Sequence, residues 1–178
     1  MGEPADVVLR NARRKARAVS GDTVLGVDTE VYLDGRLFGK PADERQACRY
    51  LEQLSGRTHE VFSGVALIHQ GAELTGVART AVTFRNLDPP LVEWYLASGE
   101  WADRAGGYAV QGRGAALIAS IDGDYWNVVG LPVALLLDLA PWLVEGRNMR
   151  GPPRGLRPLG SSAASPVDPR TLGGGEAA

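Results

Sequence analysis

A mixed α/β fold is predicted by three features of the chain. An amphipathic run with helical spacing begins at Pro4. Runs rich in β-branched residues follow, several of them bounded by glycine-containing turn dipeptides. Helical patterns separate these runs, in the order helix, hairpin, helix, two strands, helix, strand, helix. The 178 residues suit one domain or two small lobes, and no internal repeat is present.

Each element has its own signal. Pro4 to Val19 reads as a helix with Pro4 in its first turn. Arg10, Arg13, Arg14 and Arg17 form its solvated face, and Val8, Ala12, Ala16 and Val19 its core stripe. Lys15 sits at the edge of that apolar stripe, where an ammonium either snorkels to solvent or meets an anion. Thr23 to Leu33 is a buried strand by its β-branched content, and Asp34-Gly35 is a hairpin turn. Pro41 stops the second strand. Asp43 caps a helix to Leu54, with Ala47, Tyr50, Leu51 and Leu54 inward and Gly56 as terminator. Two strands, THEVFSGVALI and TGVARTAVTF, are joined by Gln70-Gly71. Asp88-Pro89-Pro90 opens a helix that ends at Ser98-Gly99. A glycine-rich stretch, Ala105 to Gly114, leads into the strand AALIASI. The last helix, Val133 to Val144, is apolar nearly all round and is expected to be well buried.

Composition excludes several classes of function. The 19 basic and 21 acidic residues nearly cancel, so a nucleic-acid coat and a polybasic membrane anchor are both excluded. One cysteine and two histidines cannot build a disulfide framework or the usual Cys/His zinc cluster. The expectation is a cytoplasmic protein, with no run apolar enough to span a membrane and no leader pattern at GEPADVV. Residues 147–178 hold five Arg, six Gly, five Pro and three Ser with no aromatic residue, and are expected to be a disordered tail. Residues 1–146 form the expected domain.

Two features suggest chemistry. Asp28 interrupts an apolar strand, where a carboxylate is costly unless it is paired, metal-bound or facing a cleft. The chain has 17 Arg but only two Lys, Lys15 and Lys40, which fits positions that need a compact, flexible ammonium. The hairpin can bring one of them to Asp28. A two-residue loop pairs Leu33 with Arg36 and sets Thr29 against Lys40. A three-residue loop pairs Tyr32 with Arg36 and sets Asp28 directly opposite Lys40. Gln111 stands in the glycine-rich stretch, where backbone can approach a ligand and an amide offers both donor and acceptor. His59 and His69 lack partners at ligand spacing and read as structural and solvated, respectively.

Four blocks then become recognisable: GDTVLGVDTEVYLDGRLFGKPAD, LSGRTHEVFSGVAL, YLASGEWADRAGGYAVQGRGA and GDYWNVVGLPVALLL. Together they resemble the Maf-like nucleotide pyrophosphatases, also called septum-formation inhibitor proteins, over about residues 3 to 144. The resemblance implies a mixed twisted sheet flanked by helices, of the kind shared with inosine triphosphatases. It implies hydrolysis of a nucleoside triphosphate to the monophosphate and pyrophosphate, with a divalent metal such as Mg²⁺ or Mn²⁺. Asp28 matches the family's Asp-Thr motif, as proton acceptor for water and as a metal ligand. Lys15 and Lys40 match lysines that contact phosphate. AGGYAVQG resembles the branch acting on dTTP and UTP, with Gln111 reading the pyrimidine and Thr29 assisting.

Members of that family begin with an apolar strand and a Ser-x-Ser-Pro-Arg-Arg loop. No such string occurs here, so the first strand and phosphate loop are expected to be missing from the fold. An edge exposed in this way favours association, and a homodimer is possible. Two hypotheses follow, an enzyme represented by an incomplete chain or a degenerate relative that binds nucleotide or a partner without catalysis. A generic metal-dependent phosphohydrolase built on Asp28 is the rival outside the family.

Overall fold

The computed structural model describes residues 2–145. The expected domain boundary at 146 and the tail at 147–178 lie outside the described residues. Helix α1 (Pro4–Arg17) precedes a hairpin of β1 (Thr23–Leu33) and β2 (Arg36–Phe38). Helix α2 (Glu44–Leu54) leads to the long strands β3 (Thr58–His69) and β4 (Ala72–Phe84). Then come α3 (Pro89–Leu96), two short 3₁₀ turns, β5 (Ile118–Asp122), and α4 (Tyr125–Val129), α5 (Val133–Leu139) and α6 (Trp142–Glu145). No described helix is long and apolar enough to cross a membrane.

The strands form one sheet in the order β2-β1-β3-β4-β5, with helices packed against it. This is the α/β class expected from sequence. Among the described residues every strand pairing is antiparallel. Two of the four pairings are tight hairpins, whose short loops permit no other direction.

The two faces of the sheet are packed differently. The main core gathers Val31, Leu33, Phe38, Leu51, Leu54, Val61, Phe84, Tyr95 and Leu117, sealed by α2 and α3. On the opposite face lies α1, with Ala12 and Ala16 against Val24 and Ala66. Here the helix backbone itself approaches the sheet. A Cβ at Gly26 would lie 2.2 Å from the Ala12 carbonyl oxygen, and one at Gly64 would lie 2.5 Å from that of Val8. Glycine in mid-strand marks such close approach. Arg13 and Arg17 pair with Glu73 and tie the outer side of α1 to β4.

Several expectations need correction. The helix ends at Arg17, and Val19 is 62% exposed rather than part of the core stripe. Val133 to Val144 is not one buried helix. Pro141 lacks an N–H and blocks continuation, so α5 stops at Leu139 and α6 starts anew at Trp142. Leu143 and Val144 are exposed in consequence. The strand AALIASI is shortened to β5, because Gly112–Leu117 coils into a 3₁₀ turn. The short helix α4, capped by the Asp124 carboxylate on Trp126 N–H, has no counterpart in the periodicity reading.

The helix seat is testable. Gly26→Ala should lower the unfolding free energy by about 2–3 kcal/mol, because the new methyl meets backbone rather than a yielding side chain. Urea denaturation measures this, and an unchanged midpoint would contradict the backbone contact.

Candidate active site

Side chains alternate along β1, so Val24, Gly26, Asp28 and Glu30 share the face under α1, and Thr29 and Val31 share the other. Asn11 and Lys15 lie four residues apart on α1 and therefore project from one helix face. Lys15 Nζ donates to Asp28 Oδ1 at 2.7 Å and to the Val27 carbonyl at 2.9 Å. Asn11 Nδ2 donates to Asp28 Oδ2 at 2.8 Å. The carboxylate is mostly buried while the ammonium stays half exposed. Of the two fates open to Lys15, the structure takes the meeting with an anion.

Lys40 does not make the cross-hairpin pair with Asp28. The loop is the two-residue Asp34-Gly35, with φ of 47° and 80°, the left-handed pair a type I′ turn needs. That register pairs Leu33 with Arg36, and the ladder stops where Val31 meets Phe38. Lys40 lies beyond it, with Nζ 3.6 Å from Asp103 Oδ1, both side chains solvated.

These groups still converge on one cavity of about 460 Å³. Lys15, Asp28, Glu30 and Lys40 line it together with Thr29, Val31, Val61, Tyr108, Gln111 and Val128. Below Val31, β1 pairs among the described residues with β3 alone, so the cavity wraps a strand edge and meets both faces of the sheet. Its charged end lies on the α1 face and its apolar end on the core face. The volume is that of an ordinary small-molecule site.

Glu30 is a site residue that the sequence reading passed over. Its signal was available, since it stands two positions after Asp28 and so shares its face. Burial and the neighbouring Asp28 charge push its carboxyl up, and Lys15 and Lys40 oppose that rise. Its Oε2 is buried with no partner. Asn11 was passed over as well, although it lies one helical turn before Lys15. Among the described residues no group of three or more His, Cys, Asp or Glu gathers as a metal cluster.

The glycine-rich stretch forms the other wall. Glu100 accepts from the N–H groups of Arg113 and Gly114, and Tyr95 Oη accepts from Ala109 N–H at 3.0 Å. These bonds hold Gln111 exposed at the cavity and Tyr108 beneath it. Tyr108 Oη is 2.8 Å from His59 Nε2, and the His59 ring also packs edge-on against Phe84. His59 is thus structural, fully buried under the cavity floor. His69 meets Thr23 Oγ1 at 2.8 Å in an exposed bond.

An α/β sheet whose edge carries a charged-and-apolar cleft defines a small-molecule-binding class of protein. The comparisons narrow this. The family model described as "Maf-like protein" matches residues 1–141. A relative from Symbiobacterium thermophilum, named dTTP/UTP pyrophosphatase, is 53% identical over 134 residues, 73% of this chain and 69% of its own. Relatives of the same name from Pyrococcus abyssi and Deinococcus radiodurans are 46% and 47% identical, covering 76% and 77% of this chain and 75% and 72% of their own. The chain belongs to the Maf family.

Burial pushes the His59 imidazole down from 6.5 to about 4, so it is neutral at pH 7. The unfolded chain takes up this proton below about pH 6.5 and the folded chain only below about pH 4. Stability from this group is therefore complete above pH 6.5 and lost as the pH falls towards 4. In His59→Phe the unfolding free energy should vary less steeply over that window, by up to about one proton. Denaturation at stepped pH reads the slope, and identical slopes would refute this assignment.

Proposed function

We propose that the chain is a nucleoside triphosphate pyrophosphatase that converts UTP and dTTP to the monophosphate and pyrophosphate. The observation that carries this reading is Asp28, gripped by Lys15 and Asn11, at the charged end of a nucleotide-sized cleft. The names of the relatives support the same chemistry and the same two substrates.

The residues have separable roles. Asp28 accepts a proton from the attacking water, using lone pairs that its two hydrogen bonds leave free. Water adds at the α-phosphorus, the bridge to the β-phosphorus breaks, and pyrophosphate leaves. Lys15 and Lys40 face the phosphates and oppose the charge that spreads over their oxygens. Lys15 also holds the Asp28 carboxylate in place. Gln111 reads the edge of the base with its amide, and Thr29 assists from the strand.

A divalent cation belongs to this reading. Asp28 and Glu30 supply hard oxygen donors on one face, and the unpartnered Glu30 Oε2 fits a ligand role. An Mg²⁺ or Mn²⁺ ion bound there supplies positive charge against the phosphate oxygens. A nucleotide substrate also suits a cytoplasmic location.

The test is pyrophosphate release from UTP and dTTP by this chain with Mg²⁺ or Mn²⁺. Asp28→Asn should lower kcat by about 10³-fold, the usual worth of a positioned base. Release of orthophosphate instead, or a folded chain that is inert, would overturn the reading. Gln111→Glu should reduce kcat/KM for UTP by about 10-fold or more, since a carboxylate loses the amide donor. Equal kcat/KM values would remove Gln111 from base recognition.

A further inference from the structure

The side-chain amide of Gln111 is left free by a carboxylate that comes from another segment. Gln111 stands at the N-cap of the 3₁₀ turn Gly112–Leu117, and its own side chain makes no capping bond. The first amides of such a turn have no partner within it. Glu100 supplies one from outside. Its Oε2 accepts from Arg113 N–H at 2.9 Å and from Gly114 N–H at 3.3 Å, and its Oε1 lies 3.1 Å from the same Arg113 nitrogen. Bonds from backbone N–H to an ionised carboxylate are among the stronger ones a loop can have. The backbone closes tightly on this contact. Gly112 has a φ of 66°, and a Cβ there would lie 2.6 Å from Glu100 Oε1.

Glu100 is itself held by the end of α3. Its N–H donates to Ser98 Oγ at 3.1 Å, and Ser98 Oγ donates to the Tyr95 carbonyl at 2.6 Å. The next residue, Trp101, donates its indole N–H to the Leu96 carbonyl at 3.2 Å. The same helix holds Ala109 through Tyr95 Oη, and the Arg113 guanidinium lies over the Trp94 ring, 5.1 Å from its centroid. Gln111 therefore hangs between two anchored points, Ala109 and Arg113, with its exposed side chain at the cavity. Glu100 does not line that cavity. Without it the N–H groups of Arg113 and Gly114 would be orphaned, and the Gln111 side-chain carbonyl is the acceptor at the cap position itself. An amide that turned back to cap them would leave the cleft.

We propose that Glu100 is a positioning residue: by capping Arg113 and Gly114 in place of Gln111, it frees the Gln111 amide and fixes it at the cleft for the nucleotide. This inference rests on the reading of Gln111 as a base contact and adds the residue that makes the contact available. Other roles for Glu100 predict different results. A plain electrostatic influence has the opposite sign, because removing an anion near a site for a triphosphate tightens binding by Coulomb's law. A role in stability alone lowers the unfolding free energy and leaves binding by the folded chain unchanged.

Calorimetric binding of the α,β-imido analogue of UTP, with Mg²⁺ present, tests this without requiring turnover. Glu100→Ala and Gln111→Ala should each weaken binding by about 10-fold, the worth of a hydrogen bond to the ligand. The double variant should also lose only about 10-fold, because two residues that act as one unit do not add. Glu100→Gln keeps one acceptor, so it should lose about 3-fold, and nothing further in a Gln111→Ala background. That pair carries the same test if Glu100→Ala does not fold. A double variant weakened by about 100-fold, the product of independent effects, overturns the proposal and leaves the pyrophosphatase reading intact. Binding by Glu100→Ala that equals or exceeds the wild type does the same. A wild-type chain that does not bind the analogue overturns the nucleotide reading and this proposal together.

Discussion

The seat of α1 on two glycines is the constraint on which the site depends. Gly26 and Gly64 lie diagonally across the β1–β3 ladder, Gly26 two residues before Asp28 and Gly64 directly opposite it. With no side chains there, the helix backbone drops onto the strands. Only at that distance do Asn11 and Lys15 reach the Asp28 carboxylate with bonds of 2.7–2.8 Å. A helix carried one methyl higher would leave a carboxylate in the strand with its two donors withdrawn. The cost of a buried charge is thus met by packing geometry before any ligand is considered.

A second consequence follows from where β2 ends. Because the hairpin ladder stops at Phe38, the lower half of β1 offers an edge, and the cleft forms around it. Alternation along a single strand then sorts the chemistry. Asp28 meets Lys15 on one face with Glu30 beside it, and Thr29 and Val31 meet hydroxyl and apolar partners on the other. One short segment thereby places charged groups at one end of the cleft and hydroxyl and apolar groups at the other. The antiparallel sheet supplies rigidity on both sides, since β3 is paired along its full length with β4.

The wall opposite the strand edge is built from loops, and its precision comes from buried polar bonds rather than from regular structure. Glu100 gathers the backbone around Arg113, Tyr95 holds Ala109, and His59 holds Tyr108. Burial keeps His59 neutral and pushes the Tyr95 phenol up to about 12, so both stay uncharged at pH 7. These bonds join the floor of the cleft to the main core.

Local signals were sufficient for most elements. The Asp43 and Asp88 caps, the Asp34-Gly35 and Gln70-Gly71 turns and the inward face of α2 stand where the residues place them. These features rest on interactions within a few residues, and so they are written in the sequence. Asp28 and Lys15 were also legible, since a charge among apolar neighbours has few stable environments. Their meeting with one another was not. It depends on the approach of a helix to a sheet, and the signal for that approach, glycine inside two strands, has meaning only once the strands are paired. The hairpin register was open for the same reason, because both loops satisfy the local turn chemistry and only the ladder decides. Ser63 and Asn127 find their partners 34 to 66 positions away, and Glu30 lines a cavity that no single segment encloses. The sequence by itself determined most of the elements, the family, and Asp28, Lys15 and Lys40 as the charges to look for. Tertiary structure alone decided which of those charges touch, because that depends on distances between segments that the chain order leaves free.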